Sequence, residues 1–386
     1  MNKQDVVIVE AKRTATGKFF GGLKDKNSVA LATELVKKSL ADLDLDKNQI
    51  DQVIMGSVLQ TGIKQNLARQ VQLGAGLPDS GTAMTINQVC GSSLKAIRLA
   101  QSAILMGDAD VVIAGGSESM SNAPFFARRS DKMDFDHDNI ADTLFYDGLN
   151  DPFHDYPMGV TAENLNDKFG VTREQLDEFA VKSQHKAAQA TANGNFDQEI
   201  IPINGVKQDE LIRPNTNMDV LSQLKAVYKD NGSVTAGNTS PLSDGASMAV
   251  LMTAAKAHEL VLKPLVKITG YQEVGYHPEL MGYTPTIAIQ KLLAKKQQTV
   301  QDIDLFEVNE AFATQAVILQ DKLNIPDDKF NISGGALALG HALGSSGTRI
   351  VTTLINNLRR TNSKTGIAAL CIGGGQGIAL EIETLS

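Results

Sequence analysis

Apolar residues recur at helical spacing over 30–42, and the short run "VIMGSV" follows as a buried strand. "AMTIN" at 83–87 reads as another short strand. Residues 92–106 then return to helical spacing and predict a helix that stops at Gly107. "DVVIAGG" at 110–116 is an apolar strand ending in glycines. Near the C-terminus "IAALCIGGGQGIALEIE" (367–383) joins two apolar strands through a short glycine turn. Continuous apolar strands alternating with helices predict an α/β sheet covered on both faces.

The pattern also repeats. At a fixed offset of 253 residues, as from Gly91 to Gly344, "IDQVIMG" (50–56) falls on "IDLFEVN" (303–309). "LVKKSLA" (35–41) falls on "AIQKLLA" (288–294), and Ile97 on Ile350. One offset holding over this span indicates a duplicated α/β unit. In the second unit the last two strands are joined directly. In the first, "VVIAGGSES" has no such neighbour until "DGASMAVLMT" (244–253), so residues 119–243 read as an insertion between adjacent strands. It contains helical pieces such as 172–193, and a long excursion of this kind serves as a lid, a ligand cradle or an oligomer contact. The organisation expected is a first half over 1–118 plus 244–264, the insertion over 119–243, and a second half over 265–386.

Composition narrows the class. Among 386 residues, 42% are hydrophobic and 21% charged, ordinary for a globular protein, and the net charge of −8 disfavours nucleic acid as a partner. Two cysteines cannot form a disulfide framework. "MNKQDVVIVEAKRTATG" reads as a first strand and not as a signal peptide, and no apolar stretch reaches transmembrane length. The expectation is a cytoplasmic protein with no membrane partner.

Four residues stand at strand-to-loop ends, where ligands gather in such sheets. Cys90 in "NQVCGSSLKAI" precedes a helix, whose free N–H groups favour thiolate and could hold an oxyanion. It reads equally as a buried, inert cysteine. His341 lies three residues before the second "GSS". A pseudo-two-fold would bring its loop to Cys90, where an imidazole activates a thiol, although a histidine among glycines is also an ordinary loop residue. Cys371, before the glycine turn, is a second thiol or a core residue. Asn309, with Glu310 in "EVNEAFATQ", is a polar site residue or a helix cap.

"NQVCGSSLKAI", "GGSESMSNAP", "MGVTAEN", "VTAGNTSPLSDGA", "VNEAFA", "GHALGSSGTR" and "CIGGGQG" together resemble the thiolases, over essentially the whole chain. That resemblance implies a thiolase-like five-layer αβαβα core of two similar halves with an inserted loop domain that cradles coenzyme A. It further implies acetyl-CoA C-acetyltransferase chemistry. Cys90, paired with His341, would take an acetyl group from acetyl-CoA, and Cys371 would remove the α-proton of a second acetyl-CoA. His341 and a water on Asn309 would stabilise the enolate, and the amides of Cys90 and Gly373 the tetrahedral oxyanion. The products would be acetoacetyl-CoA and CoA. Ser240 resembles the pantetheine contact. Met158 and Met281 resemble residues that narrow the acyl pocket, with Leu149 and Ala236 along the CoA path and Arg213 near its nucleotide end. No metal and no cofactor beyond CoA thioester substrates is implied, and the assembly would be a homodimer or homotetramer.

Two positions depart from the family pattern. Pro157 replaces a histidine that contacts the thioester region, and Ala342 makes "GHA" of "GHP". They bear on substrate affinity and acyl preference. "DFDHDN" (134–139) opens like a calcium loop, but Asn139 replaces the required glycine and Phe145 the bidentate glutamate, so a solvated acidic loop is expected, within a region the family uses for tetramer contacts. The histidines at 137, 154, 185, 258 and 277 lack metal-ligand spacing. A longer-chain 3-ketoacyl-CoA thiolase and a non-catalytic acyl-CoA-binding protein are the rival readings. A ketoacyl-carrier-protein synthase has no use for Cys371.

Overall fold

The structure, a computed structural model, describes residues 2–129 and 135–385. Of the acidic stretch 134–139, Asp134 lies outside the described residues, and so do the side chains of 135–138. Nine strands form the main path of one sheet: β1 (Val6–Thr14), β2 (Gln52–Gly56), β3 (Thr82–Ile86), β4 (Val111–Ser119), β5 (Ser243–Thr253), β6 (Val266–Gly275), β7 (Leu305–Val308), β8 (Thr365–Ile372) and β9 (Gln376–Thr384). Their spatial order is β7-β8-β9-β6-β1-β5-β4-β2-β3. Pairing within the two halves matches. β2 and β4 are parallel as β7 and β8 are, and β4–β5 and β5–β1 are antiparallel as β8–β9 and β9–β6 are. Only Val7↔Lys267 and Ile8↔Val266 join β1 to β6 across the middle.

Side-chain alternation sorts the strands into layers. Val112 and Ala114 of β4 turn inward to the central helices α3 (Ser92–Met106) and α8 (Ser346–Arg360), onto Leu94, Ile97, Ile350 and Leu354. Val111 and Ile113 turn outward, onto Leu31 and Leu35 of α1 (Ser28–Asp42) and Val71 of α2 (Leu67–Gly74). In the second half Ala368 and Leu370 face the same central core. Ile367 and Ala369 face Ile289 and Leu292 of α6 (Thr284–Lys296) and Leu319 of α7 (Ala313–Leu323). The two halves of the sheet thus face the same central helices, giving helices, half-sheet, helices, half-sheet, helices, and the five-layer expectation holds. Each fully buried Leu or Ile contributes ~1.5–3 kcal/mol by leaving water. Helix α3 ends as expected at Gly107, which at φ +79° takes a left-handed conformation costly for other residues.

Ser119 at the end of β4 pairs with Asp244 near the start of β5, so the chain between them leaves and re-enters the sheet at neighbouring strands. It carries α4 (Gly159–Phe169), α5 (Arg173–Ala192) and the hairpin Phe125–Arg129 with Phe135–Asp142. Buried Arg13 of β1 ties it down, with Nε 2.7 Å from Glu199 Oε1 and Nη1 and Nη2 2.7 and 3.0 Å from the Asp209 carboxylate. Among the described residues no helix is long and apolar enough to cross a membrane, and no group of three His, Cys, Asp or Glu could hold a metal ion.

Candidate active site

Cys90 sits in the loop between β3 and α3. Val89 before it has φ +46°, a conformation that a β-branched residue adopts only under constraint. The constraint is visible. Val89 N donates to Asn87 Oδ1 at 2.9 Å, and Ser92 Oγ donates to Val89 O at 2.6 Å. Gly91, the residue before α3, supplies no side-chain cap, which leaves the first amides of the helix unclaimed by side chains.

His341 follows Gly340, another left-handed position at φ +96°, and its Nε2 lies 3.2 Å from Cys90 Sγ. Ser346 Oγ is 2.6 Å from His341 Nδ1 and donates its own proton to Ala342 O at 3.0 Å. The hydroxyl therefore accepts Nδ1–H, and this network assigns the tautomer in which bare Nε2 faces the thiol. Asn309 Nδ2 approaches Nδ1 at 3.4 Å, too long for the stronger bond, while Asn309 Oδ1 is buried without a protein partner. Burial and the nearby Arg349 cation hold the imidazole down to about 3, so it is a neutral base.

Cys371, at the end of β8, precedes a three-glycine turn in which Gly374 and Gly375 have φ +84° and +78°. The turn aims Gly373 N–H at Cys90 Sγ, where Cys90's own amide also points. Both thiols resist ionisation. Burial pushes Cys371 up to about 12, and pushes Cys90 far above its ordinary value with help from Cys371 and Glu118, against those two amides. The helix start was expected to favour thiolate at Cys90; desolvation outweighs it.

Cys90, His341 and Cys371 line one cavity of about 110 Å³, together with Leu149, Met158, Ser240 and Met281. Pro157 is on the same wall. Arg213 and Ala236 are exposed and outside it. A larger groove of about 820 Å³ against α1 and α2 has no thiol or imidazole. Three contributors escaped the sequence reading. Gln315 touches Cys371 Sγ at 3.0 Å. Ser346 orients His341. Glu118 accepts the amides of Val58, Leu59 and Gly344 at 2.9, 3.0 and 2.9 Å, and burial raises it to about 7. Each lies inside a motif already noticed ("EVNEAFATQ", the repeated "GSS", "GGSES"), which was the available signal.

Two thiols in one cavity, one of them 3.2 Å from an imidazole, narrow the family, and comparison decides it. The family model described as "Thiolase, N-terminal domain" matches residues 6–255, and "Thiolase, C-terminal domain" matches 262–384. The chain belongs to the thiolase family. As a thiolase it is an acyltransferase. An acetyl-CoA acetyltransferase of Cupriavidus necator is 46% identical over 389 residues, covering 98% of this chain and 99% of that one. A probable acetyl-CoA acyltransferase of Staphylococcus aureus is 43% identical, with 98% of each covered. Among solved structures, the Bacillus anthracis acetyl-CoA acetyltransferase superposes with TM-score 0.94 at 39% identity, covering 99% of both chains. Human mitochondrial 3-ketoacyl-CoA thiolase in complex with CoA superposes with TM-score 0.96 at 38% identity, covering 100% of this chain and 99% of that one.

Proposed function

We propose that this thiolase is an acetyl-CoA C-acetyltransferase, joining two acetyl-CoA into acetoacetyl-CoA and CoA and running the reverse thiolysis at the same site. The observation that carries the reading is the shared cavity of Cys90 and Cys371, with His341 Nε2 at 3.2 Å from the first sulfur. Cys90 passes its proton to His341 as its sulfur attacks the thioester carbonyl. The collapsing tetrahedral adduct expels CoA thiolate, which takes the Cys371 proton. Cys371 thiolate then removes the α-proton of a second acetyl-CoA. The enolate carbon attacks acetyl-Cys90, and the released Cys90 sulfur recovers its proton from His341. Both thiols and the neutral imidazole are restored.

The residues suit these tasks. The amides of Cys90 and Gly373 both point at the Cys90 sulfur, beside which the tetrahedral oxyanion would form, and losing one such donor typically costs ~10²–10³ in rate. His341, with a water on the unpartnered Asn309 Oδ1, supports the enolate. Ser240, Leu149, Met158 and Met281 contact the pantetheine and acyl ends, with Ala236 and Arg213 along the exposed path of CoA. The small cavity and its two methionines favour a short acyl group. A longer-chain 3-ketoacyl-CoA thiolase remains the second reading because a human mitochondrial 3-ketoacyl-CoA thiolase superposes with TM-score 0.96. Relative kcat/KM with C4 and C8 ketoacyl-CoA separates the two.

The test of the mechanism is mass spectrometry after mixing with acetyl-CoA. An acetyl adduct is expected on Cys90 and not on Cys371, and Cys371→Ala should accumulate it without forming acetoacetyl-CoA. Turnover by Cys90→Ala overturns the reading.

A further inference from the structure

Gln315 stands in the first turn of α7, 1% exposed, with Oε1 3.0 Å from Cys371 Sγ. Its amide nitrogen is already committed, donating to Asn309 O at 2.5 Å. A half-turn of the amide would set Oε1 against that carbonyl oxygen, so the orientation is pinned. The side chain is also boxed in, since a methyl on Gly282 would stand 3.2 Å from Gln315 Cβ. What faces the second thiol is therefore a fixed acceptor with no proton of its own. It bonds to the sulfur only when the sulfur carries hydrogen.

We propose that Gln315 is the positioning residue for the proton held on Cys371. The inference deepens the condensation reading and rests on it. In the α-proton step the C–H bond breaks, its electron pair becomes the enolate C=C bond while the carbonyl π pair moves to the thioester oxygen, and a sulfur lone pair of Cys371 forms the S–H bond. Rotation about Cβ–Sγ then carries that hydrogen to Gln315 Oε1 and away from the enolate carbon. The carbon is left free to attack acetyl-Cys90 instead of recovering its proton. Through Asn309 O the same amide also locks the chain that carries the enolate-side asparagine, so the base and the enolate site are held in one frame.

Acylation of Cys90 ends with the Cys371 proton leaving for the CoA thiolate, which a lost acceptor does not slow, whereas condensation needs the new proton held away from the enolate carbon, and the difference gives the test. Gln315→Met removes the acceptor at similar length. Gln315→Asn keeps an amide but withdraws it by one methylene, and serves if the first variant fails to fold. In either, the amplitude and rate of Cys90 acetylation by acetyl-CoA should fall by no more than about twofold from wild type. Acetoacetyl-CoA formation should fall about tenfold in kcat, with KM little changed, the scale of one lost hydrogen bond. A loss shared equally by acylation and condensation, or no loss in condensation, overturns the assignment. If wild type itself forms no acetoacetyl-CoA, the functional reading fails. If wild type and the Gln315 variants condense alike, only this inference does.

Discussion

At single residues, the interior's low dielectric decides most of the chemistry. His341 is held neutral far below its ordinary 6.5 by burial and Arg349. Between pH 6.5 and about 3 the unfolded chain binds a proton there that the native chain refuses, so stability falls as the medium is acidified through this window, by up to ~1.4 kcal/mol per pH unit. His341→Gln should show a shallower loss over that window, measured as urea midpoints against pH. Raised Glu118 works in the opposite sense, its contribution being full below about 4.5 and lost as pH rises through about 7. It is common to both proteins and cancels in the difference. A wild-type slope no steeper than the variant's would refute the account. Cys90 and Cys371 were legible because each stands at the end of a strand in a recognisable motif; His341, expected at such an end, instead follows the short helix Ala336–Leu339 and was legible only through the repeated "GSS" beside it. Gln315 was not, because a glutamine on a helix face reads the same whether it meets solvent or a thiol.

At the level of elements, the internal repeat was the most readable feature. The offset that aligns "LVKKSLA" with "AIQKLLA" pairs α1 with α6, and the two "GSS" runs open α3 and α8. Periodicity could not say that α3 and α8 lie against each other, because that contact spans 253 residues of sequence, as from Gly91 to Gly344. The close approach is set by Gly347. A methyl there would fall inside contact distance of the Leu94 backbone nitrogen, and Thr348 N already donates to Ser93 Oγ at 2.9 Å across the same crossing. Backbone cannot yield as a side chain would. Gly347→Ala should therefore cost ~1–3 kcal/mol in denaturant unfolding, overriding the ordinary helix preference for alanine, and should lower Cys90 acetylation by parting the Cys90 and His341 loops. An unchanged or raised midpoint would show that the helices can spread freely.

For the whole molecule the question is what fastens the inserted segment over the thiols. Sequence could not reveal it, since an arginine in an apolar strand reads as an edge or surface residue until its partners, some 190 positions away, are known. Arg13 is 1% exposed and carries both attachments, to Glu199 and to Asp209, while Glu199 also accepts Thr353 Oγ1 of α8 at 3.0 Å. Asp209 further accepts the amide of Thr16 at 2.7 Å. The neighbouring carboxylates favour the guanidinium's charged form, offsetting its burial. Removing one member leaves a buried charge uncompensated, typically worth ~3–5 kcal/mol. In Asp209→Asn the amide cannot keep both charge balance and the forked contact, and the loss falls on the junction between the insertion and the sheet. Proteolysis under native conditions should then cut first within 120–242, before the strands of the main sheet, with KM for acetyl-CoA rising more than kcat falls. That order follows because Met158 and Ser240 belong to the insertion, whereas Cys90, His341 and Cys371 belong to the halves. Cleavage spread evenly along the chain, or a fall in kcat with KM unmoved, would mean that the network braces the catalytic core itself.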